Sequence, residues 1–153
     1  MKSDLKLGNI KNFNYLYNMK NLDTHTLIDI RDTLKETIFN DFIKNFPQFE
    51  DEVDSYDDIE SYSFQSWEKT WQSDMDKIDE IDVIEQTLGN EFYHNVSLIH
   101  HSNFQEYIKA EILECGGIPK LPDFVKIDWN ETIASWSSSY FEINYQDEIY
   151  YYK

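Results

Sequence analysis

Apolar residues recur every three or four positions over the first two thirds of this chain and turn to a two-residue alternation near its end. Leu27, Ile30, Leu34, Ile38 and Phe42 form one stripe of a helix that Thr24 or Thr26 begins, with Asp29 placed as a capping partner of Thr26. Phe46-Pro47 ends it, because proline disfavours helix in the residue before it. Ahead of this helix, Phe13, Tyr15 and Tyr17 alternate and predict a short strand.

Phe49, Val53, Tyr56 and Ile59 again fall three or four apart, among acids, and predict an acidic amphipathic helix over 48–62. Phe64, Trp67 and Trp71 share a face over 63–73. Met75, Ile78, Ile81 or Asp82, and Ile84 or Glu85 share one over 74–88, with Val83, Ile84 and Leu88 continuing it to the Gly89-Asn90 stop. The middle third therefore reads as a series of short helices.

The tail carries the clearest punctuation. Residues 96–100 are a short strand, and Ser102 with Gln105 forms a capping box. Phe104, Tyr107, Ile108 and Ile112 line the helix that follows. Gly116-Gly117 stops that helix, and Pro119 and Pro122 keep the chain from resuming one. Residues 124–127 predict a second strand. Asp128 with Glu131 opens a helix bearing Trp129, Ile133 and Trp136, and 140–145 and 148–153 form a hairpin around Gln146-Asp147. The fold class expected is α+β: mainly helical, acidic residues 1–95 packed with a β-α-β-α-β-β lobe over 96–153.

Composition sharpens this picture. The chain has 153 residues with 11 Tyr, 10 Phe and 4 Trp, too aromatic for a disordered chain. No apolar run is long enough to span a bilayer, and the N-terminus lacks the apolar core of a signal peptide. The one cysteine, Cys115, permits no intramolecular disulfide, so a reducing cytoplasm is expected and the sequons at Asn95 and Asn130 are read as accidental.

Charge changes the picture most. Thirty acids against 13 Lys and Arg give −17, which disfavours direct binding to nucleic acid or an anionic membrane and favours a basic protein partner. Residues 47–91 hold 15 acids and 2 bases, about three quarters of the excess. The expected partner-binding surface is Glu50, Asp51, Glu52, Asp54, Asp57, Asp58, Glu60, Asp74, Asp76, Asp79, Glu80, Asp82 and Glu85. Asp123, Asp128, Glu131, Glu142, Asp147 and Glu148 would extend it if the tail faces the same way.

Chemistry-bearing patterns are weak by comparison. Asp74, Asp76 and Glu85 mimic a calcium loop at positions one, three and twelve, but Asp79 stands where its glycine is required. His94, His100, His101 and Cys115 fit no standard zinc spacing, and His100-His101 on adjacent strand positions would point to opposite faces. Cys115 lies at a helix C-terminus, which disfavours the thiolate. Paired carboxylates have almost no specificity in so acidic a chain. Four glycines supply no phosphate loop, and no basic stripe exists around the one arginine, Arg31. The four tryptophans read as core, and the run Tyr150-Tyr151-Tyr152 must expose a ring or meet a second copy. Neither enzyme activity, a metal nor a cofactor is expected.

One order of features is familiar: a strand, a capped helix with Phe104-Gln-Glu-Tyr107, a Gly116-Gly117-Ile118-Pro119 stop, Ile127-Asp128-Trp129 opening a helix, and a Tyr140-Phe141-Glu142 to Ile149-Tyr150-Tyr151 hairpin. Over residues 96–153 it resembles the C-terminal region of ArdA-like antirestriction proteins, acidic proteins of phages and mobile elements. Ser137-Ser138-Ser139 departs from the more acidic approach to the hairpin in that family. The resemblance implies a cytoplasmic DNA mimic, commonly an elongated homodimer, that occupies the DNA-binding surface of a host defence nuclease of restriction or CRISPR type. The charge is of the right order. A compact chain of this size spans on the order of 40 Å, and duplex DNA of that length carries roughly 23 charges. The alternative is an acidic regulatory protein that binds a basic partner without imitating DNA.

Overall fold

The computed structural model describes residues 21–59, 61–115 and 122–153. The strand expected around Phe13, Tyr15 and Tyr17, the acid Glu60, and the Gly116-Gly117 stop with Pro119 lie outside the described residues. The chain is α+β, with five helices and a four-stranded antiparallel sheet among the described residues. It divides into two compact units, Thr24–Val96 and a second built from the short strand before Thr24 together with Ser97–Lys153.

The first unit is helical. Helix α1 (Thr24–Asn45) is followed by a 3-10 turn (Pro47–Phe49), a single helical turn α2 (Tyr56–Ile59), the long helix α3 (Gln65–Leu88) and a 3-10 segment (Gly89–His94). The stripe read from α1 is the buried one: Leu27, Ile38 and Phe42 are fully enclosed and Ile30 and Leu34 are half-buried. Thr24 serves less as a helix cap than as a clasp. Its N–H donates to the Val96 carbonyl at 3.0 Å and its hydroxyl accepts the Val96 N–H at 2.9 Å, so both ends of the unit are tied together.

Two expectations for the middle third are corrected. Residues 48–62 are not one amphipathic helix. Val53, Tyr56 and Ile59 are buried as their spacing requires, but the chain reaches them through turns. The Asp58 carboxylate accepts the N–H groups of Asp54 at 2.9 Å and Ser55 at 3.0 Å, half of a capping box that opens helix afresh at Tyr56. Conversely, residues 65–88 are one continuous helix, since no glycine or proline interrupts them. Its inner face is Trp67, Ile78, Ile81 and Ile84, while Val83 faces outward. Around Phe42 gather Phe46, Phe49, Tyr62, Phe64 and Trp67, with ring centroids 5.0 to 6.2 Å away.

The second unit carries the sheet, in the order β1 (Leu22–Asp23), β2 (Ser97–His100), β4 (Glu148–Tyr152), β3 (Phe141–Tyr145). Ile99 faces Tyr151 and His100 faces Tyr150 across β2 and β4. Helices α4 (His101–Glu114) and α5 (Trp129–Ser137) supply Phe104, Ile108, Ile112 and Ile133 to a core shared with Ile99, and Trp129, Trp136, Tyr140 and Tyr151 pack against it. Asp128 caps α5 as its spacing predicted, accepting the Glu131 N–H at 3.1 Å.

Here too the structure departs from expectation. Residues 124–127 form no strand, so the lobe runs β-α-α-β-β with β1 supplying the remaining strand. Phe124 is 85% exposed, and the Val125 N–H closes a turn onto the Pro122 carbonyl. A β-rich run becomes a strand only when a neighbour is available to take its hydrogen bonds. Helix α4 starts one residue before the predicted capping box. Its cap is the His100 imidazole, whose Nδ1 accepts the Ser102 N–H at 3.1 Å. Tyr150 is buried and Tyr151 and Tyr152 are half-buried.

Candidate functional site

The acidic residues of the first unit sort by what each carboxylate already holds. Asp82 and Glu85, one turn apart on α3, both accept from Arg31 of α1, Asp82 at 2.9 Å. Arg31 also lies over the Phe92 ring, and its side chain is only 12% exposed. Burial alone would lower the Arg31 pKa; hydrogen bonds to Glu85 and Asp82 outweigh it and hold the pKa above its ordinary value. Glu85 is held below the usual carboxylate range, first by the Tyr93 hydroxyl and, against burial, by Arg31. Asp57 pairs with Lys35 at 2.9 Å, Asp74 with Lys77 at 3.0 Å, and Glu52 accepts the Tyr62 hydroxyl at 3.0 Å. Asp58 closes the turn at Ser55, and those backbone contacts lower its pKa.

Glu50, Asp51 and Asp54 are exposed on the segment between the 3-10 turn and α2, and Asp76 and Asp79 are exposed on α3. Exposure does not separate these acids from the others, since Glu52, Asp57 and Asp58 are exposed too. Asp76, Asp79, Asp82 and Glu85 are spaced by three, each about 4.5 Å further along the helix and turned about 60° around it from the one before. Asp79 is affected by its neighbours as well as by its own packing. Its pKa is raised by burial, then by Asp82 and Asp76. A carboxylate crowded by like charges gains from an incoming cation.

The second unit uses its acids differently. Asp128 is the α5 cap, Glu148 accepts from two histidines, and Asp147 sits at positive φ in the hairpin turn. Asp123, Glu131 and Glu142 are exposed.

Two further carboxylates, absent from the predicted surface, have aromatic donors aimed at them. Asp41 accepts both the Trp67 and Trp71 indole N–H groups at 2.9 Å, and these contacts, Trp67 first, lower its pKa. Glu111 accepts from Trp136 at 3.0 Å and Tyr140 at 2.5 Å; burial pushes its pKa up, but the two donors and Lys153 prevail and it is lowered. Only the pairing of these residues across distant segments marks them, and spacing along the chain does not show it.

A carboxylate whose folded pKa is depressed contributes stability above its unfolded pKa and loses it as pH falls through the folded one. For Asp41 the loss begins near pH 4, the unfolded value of about 3.9, and continues below. Asp41→Asn should therefore cost about 1–2 kcal/mol at pH 7, with the gap to the parent narrowing at pH 3. Urea unfolding followed by tryptophan fluorescence at both pH values measures this.

His100 and His101 do not point to opposite faces. The strand ends at His100 and the chain turns into α4, which brings the two rings to a centroid distance of 4.4 Å and both Nε2 atoms onto Glu148. Cys115 is exposed beyond α4. A cavity of about 290 Å³ in the first unit is lined by Tyr56, Ile59, Tyr62, Trp67, Glu68, Gln72, Met75 and Asp79. Among the described residues no helix is long and apolar enough to cross a membrane. No family model matches the chain, and neither a curated protein nor a solved structure matches it.

Proposed function

We propose that this chain is a non-enzymatic inhibitor that binds the nucleic-acid-binding surface of a basic host defence nuclease, with its acidic face standing in for DNA. The observation that carries the reading is the density of carboxylates along α3. Residues 74–85 carry six acids over about 16 Å of helix, where duplex DNA carries roughly 10 charges. Glu50, Asp51 and Asp54 add exposed charge from the neighbouring segment. Asp82 and Asp76 add to the burial that raises the Asp79 pKa, and a partner's Lys or Arg would offset them as Lys35 does within the fold. The resemblance of the tail to ArdA-like antirestriction proteins supplies the nuclease as target, and a homodimer would lengthen the acidic face.

The test reverses charge at acids that neither close a turn nor hold Arg31: Glu50→Lys, Asp51→Lys, Asp54→Lys and Asp79→Lys together. Asp58, Asp82 and Glu85 are spared, since each closes a turn or holds Arg31. The expected result is loss of inhibition of DNA cleavage, across a panel of restriction and CRISPR-type nucleases, with an unchanged far-ultraviolet spectrum and melting temperature. Retained inhibition would show that these acids are not the contact. In the parent protein, binding should weaken as salt rises, and duplex DNA should displace the chain from its target. A ternary complex with DNA would instead identify an acidic regulatory protein that is no mimic.

A further inference from the structure

We propose that His100, His101 and Glu148 form a binding site for one divalent ion of the zinc class. The donors come from the end of β2, the start of α4 and the start of β4, and their ligand atoms lie within 4.8 Å of one another. His100 Nε2 and His101 Nε2 stand 3.2 and 3.0 Å from the same Glu148 oxygen. A tetrahedral zinc with bonds of about 2.0 Å holds its ligand atoms about 3.3 Å apart. Both histidine–carboxylate separations thus lie close to the edge of such a tetrahedron before any ion enters, and the third pair lies within 4.8 Å. Two imidazoles and a carboxylate suit zinc and its transition-metal neighbours, whereas magnesium and calcium take oxygen.

The surroundings favour a held but reachable ion. His100 is 2% exposed and packs edge-on against Tyr150 at 5.2 Å, which fixes one ligand. His101 and Glu148 are each about half-exposed, leaving a route in and a solvent-facing fourth position. Ser102 Oγ lies 2.7 Å from His100 Nδ1, the place where a ligating histidine needs an outer partner. Without metal, Nδ1 accepts the Ser102 N–H and the ring proton sits on Nε2. On binding, Nε2 takes the ion and the ring proton moves to Nδ1, which then donates to the Ser102 hydroxyl oxygen; the ring stays neutral and the Ser102 N–H gives up its bond to Nδ1. The site would link the closing hairpin to the junction of β2 and α4.

The test is calorimetric titration of the chelator-treated full chain with ZnCl₂. Excess Mg²⁺ present throughout occupies the diffuse acidic surface, and Co²⁺ serves as a spectroscopic substitute. One saturable site per chain is expected, with a rise in melting temperature on loading. His101→Ala and Glu148→Gln should each weaken binding at least about tenfold, while His94→Ala, which alters an exposed histidine of the other unit, should bind as the parent does. Both ligand variants change partly exposed side chains, and circular dichroism checks that they fold. No saturable site in the parent, or equal binding in the parent and both ligand variants, would overturn the proposal and leave a hydrogen-bonded His-Glu-His cluster.

Discussion

Phe42→Ala should lower the stability of the Thr24–Val96 unit by about 3–5 kcal/mol. The ring is completely enclosed and touches aromatic neighbours from three separate segments: Phe46 and Phe49 after α1, Tyr62 and Phe64 ahead of α3, and Trp67 within it. Large rings cannot collapse far into the space left, so the full cavity penalty is expected. Single domains are stable by only about 5–15 kcal/mol, and a loss of this size is a large share. Equilibrium urea unfolding followed by Trp67 and Trp71 fluorescence measures it. A loss under about 1 kcal/mol would mean that the surrounding rings repack.

Arg31→Met should be the second most costly change, at about 2–3 kcal/mol. It keeps the stem that lies on Phe92 but leaves Asp82 and Glu85 one turn apart on α3 without their cation. Removing one partner of a fully buried pair costs about 3–5 kcal/mol, and the estimate is reduced because both carboxylates remain partly solvated. The penalty is mainly that of the stranded acids. Adding Asp82→Asn and Glu85→Gln to Arg31→Met should therefore recover part of the loss, and thermal melts of the single and triple variants decide this. A triple variant less stable than the single one would place the cost in lost packing of the guanidinium instead.

Periodicity exposed most of the helical architecture and little of what the acids do. The stripe from Leu27 to Phe42 and the Asp128 cap were legible because each depends on neighbours within a turn or two. Residues 124–127 were misread because strand propensity is local while strand formation needs an edge, and Leu22–Asp23, too short to show any periodicity, lies in the sheet instead. The His100 cap was missed because imidazole is not among the usual capping groups. Asp51 and Asp58 look alike along the chain and both are exposed, yet Asp58 closes a turn. The partners of Asp82 and Glu85 come from Arg31, more than fifty residues away, a pairing only the tertiary structure reveals.

The hairpin turn bears on the order in which the second unit assembles. Gln146 and Asp147 both adopt positive φ, 52° and 61°, in a two-residue connection of the kind that normally relies on Asn-Gly. With neither glycine nor asparagine there, the turn is disfavoured in the unfolded chain, and β3 and β4 gain little from meeting each other alone. Their pairing is supported from outside, by Ile99 opposite Tyr151 and by Phe104 stacked on the Tyr151 ring at 3.9 Å. The end of the chain is thus placed to fold late, closing onto β2 and α4 after these have met, so its formation reports completion of the unit rather than its nucleation.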